Sequence, residues 1–219
     1  MALKRPAPLL ETDVWQETVD RYGAQAKTTI ENRKLAYSRA LRDLSSDAAT
    51  LAQIAHCLVR ALERGNSVLI AGNGGSAAEA QHFAAELVGR FKRERSAYAV
   101  MALTADSAIL TAIGNDYGFE QVFERQVRGH GRPGDVLVVI STSGESRNLV
   151  AAVDAARDQE MTVVAMTGEP GCTLIDRADV SVSVPGADTA LAQEIHMLLT
   201  HILCDIVESE LARREGEAT

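Results

Sequence analysis

Three cysteines in 219 residues, Cys57, Cys172 and Cys204, are too few and too scattered for a disulfide framework or a cysteine-rich zinc site. They read as free thiols in a reducing compartment. Aromatics are equally scarce, 4% against 46% hydrophobic residues overall, so the core must be built from Ala, Val, Ile and Leu, as in helices packed on a parallel sheet. Positive charge is short too: the formal net charge is -8 and the pI is near 5.2. That excludes a generic surface for nucleic acid or anionic membrane, which needs a basic footprint. It leaves room for a small phosphorylated ligand, because loops and helix ends bind phosphate without net basicity. No apolar run approaches membrane-spanning length. The opening stretch turns acidic and polar at Glu11, Thr12 and Asp13 before any signal-peptide core develops. A cytoplasmic protein is expected, with no nucleic-acid or membrane partner.

The length suits one generous α/β domain rather than two with separate cores. Residues up to about Pro8 read as a flexible leader. From Glu11 to Arg42 a thin apolar stripe (Val14, Val19, Ile30, Leu35, Leu41) predicts one or two helices broken near Gly23. Ser46-Asp47 then caps a stronger helix through Arg64. Five short apolar runs follow, 68–71, 97–103, 136–140, 162–166 and 180–184, separated by helical stretches at 107–113, 119–130 and 147–159 and a short turn at 173–177. This alternation predicts a three-layer sandwich with a five-stranded parallel sheet and helices on both faces. The expected division is 1–45, a leader and helical segment packing on the core or a neighbouring subunit, then a domain over 46–213, then a disordered tail over 214–219. The last helix, about Ala190 to Arg213, is apolar nearly all round over its middle turns, which predicts a subunit interface.

Two stretches carry the chemistry. Val68 to Ser76 reads as strand, glycine-rich turn and helix start, where free backbone amides can face an anion. One turn further along, His82 and Glu86 project from one face and can converge on a single proton or metal ion. Val136 to Ser146 repeats the plan. Its Ser141, Thr142, Ser143 and Ser146 surround a glycine at a helix start; one hydroxyl there would be an ordinary cap, but four favour a phosphate cradle. No Lys sits in a Walker-type position, which argues against a nucleoside triphosphate. Gly72, Gly74 and Ala77 satisfy a dinucleotide pattern, but Asp106 lies too far along to hold a ribose. His196, Thr200 and His201 are polar islands within the last helix, and Gln193 and His201, eight residues apart, stand where its apolar character should have excluded them. A core histidine satisfied by a backbone carbonyl is the plain reading for His196 or His201.

Asn73-Gly-Gly-Ser76, His82-Phe-Ala-Ala-Glu86-Leu-Val-Gly-Arg90, Gly114-Asn-Asp-Tyr-Gly118, Ser141-Thr-Ser-Gly-Glu-Ser146 and Gln193-Glu-Ile-His196 with His201 together resemble the phosphoheptose isomerases of the sugar isomerase (SIS) family. The similarity runs from about Ile30 to Glu208. It implies a flavodoxin-like SIS fold, conversion of sedoheptulose 7-phosphate to glycero-manno-heptose 7-phosphate for surface polysaccharides, and a homotetramer with sites between subunits. Carried over by position, it makes Glu86 the base and His201 the acid of an ene-diol proton transfer. Ser141, Thr142, Ser143 and Ser146 would hold the phosphate, while Asn73, Gly74, Gly75, Asn115, Asp116, Glu86 and Gln193 would meet the substrate. One zinc per subunit is implied at His82, Glu86, Gln193 and His201. Three departures stand out: Glu145 where Asn is usual, Leu191-Ala192 before Gln193 where Arg-Ile is common, and a longer leader. A sister group with the same fold, also tetrameric, binds the bacterial replication initiator without catalysis; Gln81-His-Phe-Ala-Ala, Leu110-Thr-Ala-Ile, Met197-Leu and Leu203-Cys-Asp205 resemble it. That group lacks the acid and base, whereas Glu86 and His201 are both present here.

Overall fold

The structure, a computed structural model, describes residues 13–217, so the expected leader lies outside the described residues. The chain divides into two compact units, one reaching to Arg39 and one from Ala40 onward. Of the first unit, 13–39 lie in one helix, α1 (Asp13–Ser46), which runs without a break through Gly23. A single glycine in a helix interior costs only about 1 kcal/mol relative to Ala, and the surrounding Gln, Ala and Lys are good helix formers. The expected break is therefore absent. Within this helix Trp15, Val19, Tyr22, Ile30 and Leu35 are exposed.

The second unit is organised on five parallel strands: β1 (Val68–Gly72), β2 (Val100–Ala102), β3 (Val136–Ser141), β4 (Thr162–Thr167) and β5 (Val180–Ser183). Their spatial order is β2-β1-β3-β4-β5, the flavodoxin-like order. Val68 pairs with Val100 on one side and Val136 on the other, and Val136 in turn with Thr162. Every residue of β1 and β3 is buried, as expected of strands covered on both faces. Alternation sends Leu69, Ala71, Leu137, Val139, Val163 and Ala165 to one side. There they join a core with Leu149, Val153, Val127 and Leu174 from α6 (Arg147–Asp158), α5 (Glu124–His130) and α7 (Thr173–Arg177), and with Phe123 just before α5. The other side is covered by α2 (Ala48–Glu63), α3 (Gly75–Val88) and α8 (Thr189–Glu217), with α8 packed against both α2 and α3.

Three boundaries differ from expectation. The second strand is confined to Val100–Ala102 because the chain before it is tied to the end of α3, Tyr98 N donating to Leu87 O at 3.3 Å. The helix expected over 119–130 is split into a 3-10 turn, Phe119–Gln121, and α5; the joint drops Val122 and Phe123 into the core. At the other end α8 continues to Glu217, so 214–217 are helical, while the last two residues of the expected tail lie outside the described residues. Arg214 anchors that extension through Glu63 at 2.6 Å and Glu210 at 2.8 Å.

Leu191, Ile195, Leu199, Leu203, Val207 and Leu211 form the buried stripe of α8, four residues apart throughout. By length and composition Thr189–Arg214 is apolar enough to cross a membrane, contrary to the sequence expectation of no such run. Half of its most apolar window is buried against the rest of the fold, as in a core helix. Flanking that stripe, Leu198 and Ile202 are half-buried and Ile206 is exposed.

Candidate active site

The carboxyl ends of β1 and β3 lie side by side at the point where the chain order reverses, the position at which open α/β sheets form a crevice. Each strand releases its chain into a loop and then a helix. After β1 the turn at Gly74 has φ +56, and α3 begins at Gly75. Gly75 lies directly against the carboxamide of Gln193 from α8, so a Cβ there would displace that side chain. After β3, Ser141 Oγ accepts from Gly144 N at 3.1 Å and lies 3.5 Å from Ser146 Oγ. Ser143 Oγ accepts from Glu145 N at 3.3 Å. Thr142 is half-buried and Ser143 exposed, so the loop presents hydroxyls toward solvent at the start of α6. Glu145, unusual for the family it resembles, is put to structural use. Its carboxylate accepts from Thr173 N at 2.8 Å and Thr173 Oγ1 at 2.6 Å, bonds that hold its pKa below the usual carboxylate range.

The two loops are bolted together. Asn73 and Asn148 exchange a reciprocal pair of amide hydrogen bonds, Asn73 Nδ2 to Asn148 Oδ1 at 2.9 Å and Asn148 Nδ2 to Asn73 Oδ1 at 2.8 Å. Asn148 was not singled out in the sequence, although a buried Asn in the first turn of an amphipathic helix is a usable signal. Asn115 and Asp116 stand apart, exposed at the end of α4 (Ser107–Asp116) and bonded to each other at 2.8 Å.

Further along the helices that flank the sheet, His82 and Glu86 of α3 meet His201 of α8. His82 Nε2 is 2.9 Å from His201 Nε2 and 3.3 Å from Glu86 Oε1, and the three donor atoms all lie within 4.8 Å of one another. All three side chains are half-buried. Tetrahedral zinc with bonds of about 2.0–2.2 Å spaces its ligand atoms by roughly 3.3 Å, so this donor set of two imidazoles and a carboxylate fits such an ion. The same arrangement places a carboxylate and an imidazole where both can reach one small molecule.

His196 and Thr200, polar islands of the last helix, belong to a second polar layer together with Glu79 of α3. Glu79 of α3, 4% exposed, faces His196 of α8, fully buried, at 3.9 Å, too far for a hydrogen bond. Glu79 Oε2 and Thr200 Oγ1 have no hydrogen-bond partner among the described residues, and the nearest partner of the His196 ring is the backbone of Thr167. Burial pushes the Glu79 carboxyl up to about 7, against a smaller opposing effect of the Ser76 hydroxyl, and burial lowers the His196 pKa. The Cys204 thiol, buried and close to the Glu86 and Glu208 charges, is pushed up to about 12 and stays neutral.

Comparison with known proteins is decisive at this point. The SIS domain matches residues 35–168. A phosphoheptose isomerase from Bordetella avium is 54% identical over 164 residues, covering 74% of this chain and 83% of that protein. One from Helicobacter hepaticus is 47% identical over 184 residues, 84% of this chain and 94% of that protein. The chain belongs to the phosphoheptose isomerase family. Its fold agrees: the structure of the Neisseria gonorrhoeae phosphoheptose isomerase superposes with a TM-score of 0.78 at 42% identity, covering 86% of this chain and 99% of that one. Against this family, the described geometry brings together His82, Glu86 and His201 and sets Gln193 against the first loop.

Proposed function

We propose that the chain is an aldose-ketose isomerase that converts sedoheptulose 7-phosphate to glycero-manno-heptose 7-phosphate, serving heptose and surface-polysaccharide synthesis in the cytoplasm. The observation that carries this reading is the meeting of Glu86 with His201 in a chain of the phosphoheptose isomerase family. Ser141, Thr142, Ser143 and Ser146 bind the phosphate through hydroxyls and the free amides at the start of α6. Asn73, Gly74, Gly75 and Gln193 line the sugar, and Asn115 and Asp116, which stand apart from them within one chain, reach it from a neighbouring subunit.

Glu86 then removes a proton from C1 while His201 gives one to the C2 oxygen, producing the ene-diol. The C1 hydroxyl proton passes to His201 as Glu86 returns its own proton to C2, so one C–H bond is broken, one is made, and both groups are restored. Glu86 Oε1 faces His82, which leaves Oε2 for the substrate. His82, Glu86, Gln193 and His201 are the residues that would hold one zinc per subunit. Bound there, zinc supplies Lewis-acid polarisation of the carbonyl oxygen that the imidazole otherwise protonates. Mutating His82 to Ala should abolish stoichiometric zinc by metal analysis while the protein stays folded; equal zinc in variant and wild type would exclude this ligand set.

A homotetramer fits the half-exposed face of α8, with Leu198, Ile202 and Ile206 buried between subunits. The direct test is an isomerisation assay on purified protein that light scattering shows to be tetrameric, run over several ketose phosphates with and without zinc. Turnover of sedoheptulose 7-phosphate above the others is expected. Absence of turnover on every ketose phosphate would return the chain to the non-catalytic, initiator-binding alternative, which the Glu86 and His201 pair and the isomerase relatives both disfavour.

A further inference from the structure

The chain between α3 and β2 has no regular structure, yet it is held by one of the most completely bonded groups in the molecule. Three consecutive backbone amides converge on the carboxylate of Glu208 from α8: Phe91 N at 3.0 Å, Lys92 N at 2.8 Å and Arg93 N at 2.9 Å. Such a nest of amides is an anion site, here filled by the protein's own side chain. Glu208 is fully buried, and its ionic partner Arg95, at 3.2 Å, has a side chain only 2% exposed.

Arg95 in turn reaches back to α3. Its guanidinium donates to Glu86 O at 3.0 Å and Gly89 O at 2.9 Å, satisfying carbonyls that the end of that helix leaves free. It also lies over the Tyr98 ring, 4.1 Å from the centroid. The pair therefore joins the last turn of the helix that carries Glu86 to the helix that carries His201.

What the clamp delivers is Phe91. Its ring stacks on the His201 imidazole, centroids 5.6 Å apart and planes 22° from parallel, while His82 meets the same imidazole edge-on at 5.1 Å. The Lys92 ammonium also lies over the ring, 5.0 Å from its centroid, and is paired with Asp205 at 3.0 Å. An imidazole gripped in this way cannot rotate about its side-chain bonds without displacing an aromatic ring. We infer that Phe91 is a positioning residue for His201 and that the buried Glu208–Arg95 pair acts on catalysis through it, by fixing the segment 91–93 that carries the ring. The inference rests on the isomerase reading above, in which His201 must stay within reach of the carbonyl oxygen.

The test uses full-length protein and steady-state kinetics on the sugar phosphate, with wild-type turnover as the reference that separates failure of the isomerase reading from failure of this one. Phe91→Leu, which keeps an apolar side chain and loses the flat face, should lower kcat by about tenfold with KM changed less than twofold. Phe91→Tyr should restore kcat, because it restores the stack. Glu208→Gln should lower kcat by a similar factor, and the Phe91→Leu/Glu208→Gln double variant should be no slower than Glu208→Gln alone. Should Glu208→Gln fail to fold, Arg95→Lys, which keeps the charge and loses the fork to the α3 carbonyls, takes its place in the cycle. Unchanged kcat in Phe91→Leu would overturn the inference. So would a double variant whose losses multiply, since that would make the clamp and the ring independent.

Discussion

Glu86→Gln should lower turnover of the sugar phosphate by about 10²-fold or more, with KM affected far less. The substitution keeps the volume and reach of the side chain and removes only its ability to take a proton. Glu86 sits on α3 with its carboxylate half-buried beside His82, so the variant has no large cavity or buried charge to distort the fold. Circular dichroism and melting temperature should therefore match wild type while the rate collapses. An unchanged rate would remove Glu86 as the base. It would also dissolve the argument linking α3 to α8 as the two arms of one reaction.

The second large effect concerns stability and pH. Glu79 has a folded pKa of about 7, raised from 4.5 by burial. A carboxyl whose folded pKa is raised binds its proton more tightly when folded, so the unfolded chain loses the proton first as pH rises. Stability is complete below the unfolded value, falls between about 4.5 and 7, and is fully diminished above that window. The loss is on the order of 3 kcal/mol at pH 8, enough to shift the folding equilibrium by about 10²-fold. Glu79→Gln carries no such penalty. In urea titrations the variant should match wild type near pH 4.5 and exceed it at pH 8 by that order. Parallel pH dependence of the two proteins would show that Glu79 is ionised in the folded state at neutral pH.

Much of this fold was legible because each central strand is covered on both faces and so appears as an unbroken apolar run. Val136 to Ile140 and Thr162 to Met166 are cases in which composition leaves no other solution. The edge strand was overread, since Ala97 to Ala99 have strand-like composition but Tyr98 N is turned to Leu87 O of α3, a bond that no local pattern encodes. Continuity of α1 through Gly23 was missed for the opposite reason, a local breaker outweighed by its neighbours. In the site, the pairing of His82 with Glu86 follows from helical spacing alone. Their meeting with His201, 119 residues away, does not; its only trace is a polar residue on an otherwise apolar helix. Phe91 and Glu79 were invisible because their roles depend wholly on what the tertiary fold places opposite them.

The reciprocal amide pair between Asn73 and Asn148 has a consequence for how a ligand is felt. A group that orders the hydroxyl loop also restricts the glycine-rich loop, so conformational freedom at the sugar end is surrendered when the other end of the molecule docks. On the proposed reading, the phosphorylated tail is then more than a handle: its binding energy is spent on rigidifying the far wall of the crevice, and a sugar without it would react slowly even at saturation.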